Sequence, residues 1–145
     1  PMEMMAAFTS LYLSGVFERF PRLRVGFMES GSGWLPFLAH RIDEEMEMFG
    51  WRRADITRRA SQVIAENGFV VGAEGEDPFV RENLDRFGSG SVVWSSDYPH
   101  RDARFPGTTE DLLERGDLTD EERAAVAGLN AVRFYGLHRL AATSG

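Results

Sequence analysis

A chain of 145 residues has the length of one average domain. Its 16 basic and 23 acidic side chains leave a net charge of −7, which argues against a nucleic-acid or anionic-membrane surface as its main partner. Cysteine is absent and every basic residue is arginine, so disulfides, thiolate nucleophiles, cysteine zinc sites and Schiff-base lysines are excluded within this stretch.

With 43% apolar residues, the composition is that of a globular protein. No apolar run reaches the ~18 residues that a membrane span needs, and no basic-then-apolar leader opens the chain. The cytoplasm is the expected location. The first residue, Pro1, leads straight into helical periodicity, so the stretch is expected to be processed or cut from a longer chain.

Met4, Met5, Phe8, Leu11, Tyr12, Val16 and Phe17 recur at three- and four-residue steps and predict one helix from Met2 to Phe20, stopped by Pro21. A short strand is expected over Leu23 to Glu29, followed by a glycine-punctuated turn, Ser30-Gly31-Ser32-Gly33. A second helix runs from Trp34 to about Phe49, with Pro36 tolerated in its first turn. Gly50 to Arg59 reads as a polar surface connection, and Ser61 to Glu66 as a short helix. Phe69 to Ala73 is a buried strand. Asp77 is the expected N-cap of the next helix, with Pro78 at its first position and Gly88 at its end. Ser91 to Ser95 forms the third strand. Thr109 to Arg115 follows, then a Thr119/Glu122 capping box that opens a helix to about Gly128, and a last helical segment from Asn130 to Leu137.

Apolar strands alternating with amphipathic helices imply an α/β fold of parallel strands with right-handed crossovers. Three strands cannot close a barrel. They fit a small open layer, a flavodoxin-like remnant, or a piece of an eight-stranded barrel.

Loops leaving the C-terminal ends of parallel strands build the sites of such folds. The three here begin Glu29-Ser30-Gly31, Glu74-Gly75-Glu76-Asp77 and Ser95-Ser96-Asp97-Tyr98-Pro99-His100. Asp97, at the end of a buried strand, must be paired, metal-bound or hydrogen-bonded, because isolated burial of a carboxylate costs several kcal/mol. Tyr98-Pro99-His100 makes a stiff turn that positions both Asp97 and the imidazole. His100 is either catalytic or structural; His40 and His138 lie on helices and are expected to be inert. Glu29 is either an acid, a base or a metal-shell carboxylate, or else a cap for the helix that follows. The Gly31/Gly33 loop fails the dinucleotide fingerprint, since Pro36 takes the third glycine position. Glu74, Glu76 and Asp77 read as a solvated run, with Asp77 capping. Asp43-Glu44-Glu45-Glu47 reads as a wet helix face.

Gly15-Val16-Phe17-Glu18-Arg19-Phe20-Pro21 through Met28-Glu29-Ser30-Gly31, with Gly33-Trp34-Leu35-Pro36-Phe37 and Arg41-Ile42-Asp43, resembles a signature region of the amidohydrolase-2 family. These are metal-dependent hydrolases and decarboxylases related to aminocarboxymuconate-semialdehyde decarboxylase. Trp94-Ser95-Ser96-Asp97-Tyr98-Pro99-His100 resembles the family's last barrel strand, and Asn130 to Leu137 its closing helix. The resemblance implies that residues 1–145 are a single C-terminal fragment, strands six to eight of a (β/α)₈ TIM-type barrel that needs ~250 residues to close. It also implies that Asp97 is a ligand of a catalytic divalent metal, often zinc, whose histidine ligands lie before Pro1. Many members carry a catalytic histidine after strand six, where this chain has Glu29. The reaction implied is hydrolysis or decarboxylation of a small carboxylate-, amide- or ester-bearing substrate, with Asp97, Glu29 and His100 as the candidate catalytic residues. The alternatives are an inactive half-barrel that self-associates into a homo-oligomer or binds a partner, and an inert α/β binding domain.

Overall fold

The computed structural model describes residues 1–66, 68–101 and 103–137. Its first helix, α1 (Met2–Leu13), buries Phe8 and Tyr12 one turn apart. The single helix expected to Phe20 is divided. Gly15 turns left-handed at φ 69° and starts a short α2 (Val16–Arg19), a conformation that costs glycine nothing but strains an L side chain. The predicted strand shortens to β1 (Val25–Phe27), and α3 follows over Trp34–Phe49. The expected surface connection contains a 3₁₀ turn at Gly50–Arg53, ahead of α4 (Ala60–Ala65).

Strand β2 (Phe69–Ala73) lies between β1 and β3 (Val92–Trp94), parallel to both, with Val25 opposite Phe69 and Val71 opposite Val92. The crossovers carry helices, so one face of the sheet packs on them. Phe27, Phe69, Val71 and Val92 on that face join Phe8, Phe17, Trp34, Leu35, Ile64 and Val80 in one cluster. Phe8 is its hub, with ring centroids 6.0 Å from Phe17, 6.0 Å from Phe27 and 5.7 Å from Phe69.

Helix α5 (Val80–Phe87) starts two residues later than expected. Its N-cap is Phe79 rather than the expected Asp77, and no side chain caps it; Asp77 instead accepts the Phe79 N–H at 2.8 Å in the turn ahead of the helix. After α6 (Thr108–Leu113), the capping box forms as predicted: Glu122 N donates to Thr119 Oγ1, and Thr119 N to Glu122 Oε2. Helix α7 (Asp120–Ala124) does not stop near Gly128. It runs through a π-helical turn (Ala125–Leu129) into α8 (Asn130–Tyr135). Asn130 Nδ2 donates to Ser89 O and Val92 O, both at 2.7 Å. Since Ser91 O already bonds β2, Val92 O faces the outer edge of β3, and a side-chain amide satisfies it there.

One reading of the acidic stretch on α3 is corrected. Asp43 is not part of a wet face, because its Oδ1 accepts the Ala60 N–H at 2.7 Å and caps α4 from another helix. Among the described residues, no helix is long and apolar enough to cross a membrane.

Two groups bracket the pH range of stability. The Glu122 carboxyl is pulled from 4.5 to about 2, first by its hydrogen bonds from Arg81. Burial pushes the Tyr12 phenol, which donates to Arg58 O at 2.7 Å, from 10.0 to about 12. A lowered carboxyl adds stability that is complete above pH 4.5 and lost as pH falls toward about 2. A raised phenol adds stability that is complete below pH 10 and lost as pH rises toward about 12. Chemical denaturation followed by circular dichroism across pH is expected to show both limbs, with Tyr12→Phe flattening the alkaline one.

Candidate active site

Parallel strands deliver their C-terminal ends to one edge of the sheet. Glu29 comes two residues after β1, and Asp97 three after β3. Both take left-handed backbone, φ 61° at Glu29 and φ 52° at Asp97. Non-glycine residues in that region cost about 1–3 kcal/mol and concentrate at functional sites. The surrounding loops hold them there. Asp97 N donates to Ser95 Oγ at 3.3 Å, and His100 N donates to Asp97 O at 2.9 Å, closing a turn across Tyr98 and Pro99. On the other loop, Trp34 Nε1 donates to Gly31 O at 3.0 Å.

The Asp97–His100 turn folds the imidazole back onto the carboxylate. His100 Nδ1 donates to Asp97 Oδ1 at 2.5 Å and lies 3.7 Å from Glu29 Oε2. One donor atom from each of Glu29, Asp97 and His100 falls within 4.8 Å of the others. The side chain of Asp97 is 14% exposed, against 55% for Glu29 and 63% for His100. The hydrogen bond from His100 holds the Asp97 carboxyl below the usual carboxylate range. Desolvation opposes it, and a hydrogen bond with the Glu29 carboxyl adds to it. Two carboxyl groups this close repel when both are ionised, and a shared proton or a bound cation relieves them.

Glu29, Ser30, Glu74, Ser95 and Asp97 line a cavity of about 20 Å³. That is room for one water or one ion. Two carboxylates and an imidazole are the donors that Zn²⁺ and Mn²⁺ take, so the residues present fit a divalent metal. Larger concavities lie elsewhere. One of about 320 Å³ opens at the opposite end of the strands, around Phe20, Leu23 and Phe69, and among the described residues no such donor set meets there.

The three residues picked out from the sequence, Glu29, Asp97 and His100, thus meet at one place. The capping alternative for Glu29 is not realised, because α3 has no side-chain cap hydrogen bond. His40 stands 60% exposed on α3 beside Glu44, and His138 lies outside the described residues. Glu74, taken as part of a solvated run, lines the cavity instead; its place directly after β2 was the signal. Ser30 reads from the sequence only as a turn residue, yet its hydroxyl is buried.

An amidohydrolase family model matches residues 1–137. The chain belongs to that family. Among solved structures, the chain is similar to an amidohydrolase from Mycobacterium avium subsp. paratuberculosis K-10, with a TM-score of 0.77 and 18% identity over 90% of this chain and 32% of that one. It is similar to 5-carboxyvanillate decarboxylase LigW from Sphingomonas paucimobilis, with a TM-score of 0.69 and 25% identity over 86% of this chain and 37% of that one. It also resembles Metarhizium anisopliae IDCase in its apo form, with a TM-score of 0.72 and 26% identity over 95% and 40% of the two chains. The chain therefore spans between 32% and 40% of the length of these three structures.

The geometry makes a direct prediction about Asp97. Its carboxyl carbon, followed by NMR, is expected to titrate below the ordinary value of 3.8 and to move back toward it in His100→Ala. An unchanged midpoint in that variant would contradict the pairing.

Proposed function

We propose that residues 1–145 form the last three β/α units, strands six to eight, of a (β/α)₈ barrel. In this reading the enzyme hydrolyses or decarboxylates a small organic substrate at a divalent metal, with zinc the first candidate. The convergence of Glu29, Asp97 and His100 within 4.8 Å at the C-terminal ends of parallel strands carries the proposal. Barrel enzymes do their chemistry at that end. The family match supports metal-dependent chemistry. Similarity to 5-carboxyvanillate decarboxylase favours loss of CO₂ from a carboxylate-bearing substrate over hydrolysis.

In this reading Asp97 is a metal ligand, Glu29 is a metal-shell carboxylate that also serves as the acid–base group, and His100 orients Asp97. The metal, when bound, supplies Lewis acidity toward the substrate's oxygen and lowers the pKa of water toward neutrality. The residues of the chain do the rest. His100 holds the Asp97 carboxylate in one orientation through Nδ1, as partners of metal ligands do. Glu29, which lines the cavity and is more exposed than Asp97, moves the proton. In hydrolysis it accepts a proton from the incoming water and returns it to the leaving group as the scissile bond breaks. In decarboxylation the carbon–carboxylate bond breaks, CO₂ leaves, and Glu29 delivers a proton to the carbon left behind.

Zinc titration by calorimetry tests the assignment. The chain, which holds only part of the shell, is expected to take up Zn²⁺ weakly, and Asp97→Asn to weaken that binding further by at least about tenfold, the scale on which even supporting residues of metal sites act. Equal affinity in the variant would remove Asp97 as a ligand. Because catalytic zinc sites use three protein ligands and an open position, and the rest of the barrel is to supply part of that shell, the 145-residue chain alone is expected to show no turnover of aromatic or aliphatic carboxylic acids. Measurable CO₂ release from it would contradict the proposal.

A further inference from the structure

The loop that carries Glu29 is held from outside. Ser32 is fully buried, and both of its backbone groups are bound by side chains of the next β/α unit. Its N–H donates to Asp77 Oδ2 at 2.8 Å, and its carbonyl accepts from Asn83 Nδ2 at 3.2 Å. The second Asp77 oxygen accepts the Phe79 N–H at 2.8 Å, so one carboxylate ties the loop after β1 to the loop after β2. The two loops also touch without slack, since a Cβ placed on Gly33 would fall 2.4 Å from the Phe79 ring.

Asp77 is in turn fixed by Arg115, from the segment between α6 and α7. The Arg115 guanidinium, with a side chain only 11% exposed, donates through Nη1 to Gly75 O at 3.1 Å and to Asp77 O at 2.6 Å. Asp117 grips its other side at 3.0 and 2.7 Å. A planar guanidinium with one edge on a carboxylate and a third donor on two carbonyls is a rigid anchor.

We propose that Asp77 and Arg115 are positioning residues of the candidate site. Arg115 sets the loop after β2, and Asp77 transmits that setting to Ser32, three residues from Glu29, so that the Glu29 carboxyl meets Asp97 and His100. The proposal rests on the metal-site reading above, and its test separates the two. Zn²⁺ affinity is measured by calorimetry and the melting temperature by circular dichroism for wild type, Asp77→Ala, Asp77→Asn, Asp97→Asn and Ser91→Ala. Ser91 serves as a structural control, because its buried hydroxyl donates to Gly88 O at 2.8 Å at the turn before β3, at the far end of the strands. Asp77→Ala is expected to weaken Zn²⁺ binding by about 10- to 100-fold, with part of that recovered in Asp77→Asn, which keeps one acceptor oxygen. Ser91→Ala is expected to lower the melting temperature and leave the affinity unchanged. Affinity that merely follows the melting temperature in both variants, or that survives in Asp77→Ala while Asp97→Asn loses it, overturns the positioning role. Unchanged affinity in Asp97→Asn overturns the metal-site reading, and the positioning role with it.

Discussion

Parallel pairing of β1 and β3 on either side of β2 is the constraint from which the rest of the molecule follows. Because all three strands point the same way, residues far apart in the chain leave the sheet at one edge, and the loops that receive them must share a small volume. This register brings the segments that carry Glu29 and Asp97 to the same edge. The crossover helices that parallel pairing demands cover one face of the sheet, and the Phe8-centred cluster beneath them fixes the strand positions. Burying aromatic side chains of this size contributes about 1.5–3 kcal/mol each, so the core can carry local strain at the strand ends.

That strain has a recognisable form. Two carboxylate residues at the same edge adopt left-handed backbone, and the deeper of the two is paired with an imidazole that the following turn folds back onto it. Nothing in the packing of the sheet requires either feature. Glu29 and Asp97 line a cavity that accommodates a single small ion or water. Polar bonds from neighbouring units, rather than apolar packing, hold the loops at this edge, and they link the β1 loop to the β2 loop and that loop to Arg115.

Much of this was legible in the sequence, for physical reasons. Phe69 to Ala73 reads as a strand because it is uninterrupted by polar residues and ends at a charged loop. The Thr119/Glu122 box reads as a helix start because both of its bonds are local. Asp97 and Glu29 stand out because each is a carboxylate within three residues of the end of an apolar strand. What stayed hidden depends on contacts between distant segments or on one backbone angle. The division of the first helix turns on the φ of Gly15 within an otherwise continuous apolar stripe. The capping of α4 by Asp43 joins residues on different helices, so a charged run looked merely solvated. Glu74 was misjudged in the same way, since only the fold shows that its loop opens toward Asp97. The π-helical turn that carries α7 into α8 past Gly128 has no local signal at all.

The central claim, that the ends of the parallel strands β1 and β3 deliver one ion-binding constellation, is tested most directly by diffraction from zinc-soaked crystals collected on both sides of the zinc absorption edge. An anomalous peak within bonding distance of the Asp97 carboxylate, with Glu29 and His100 around it, is the predicted result. A peak bound elsewhere, with Asp97 turned toward solvent, would contradict it.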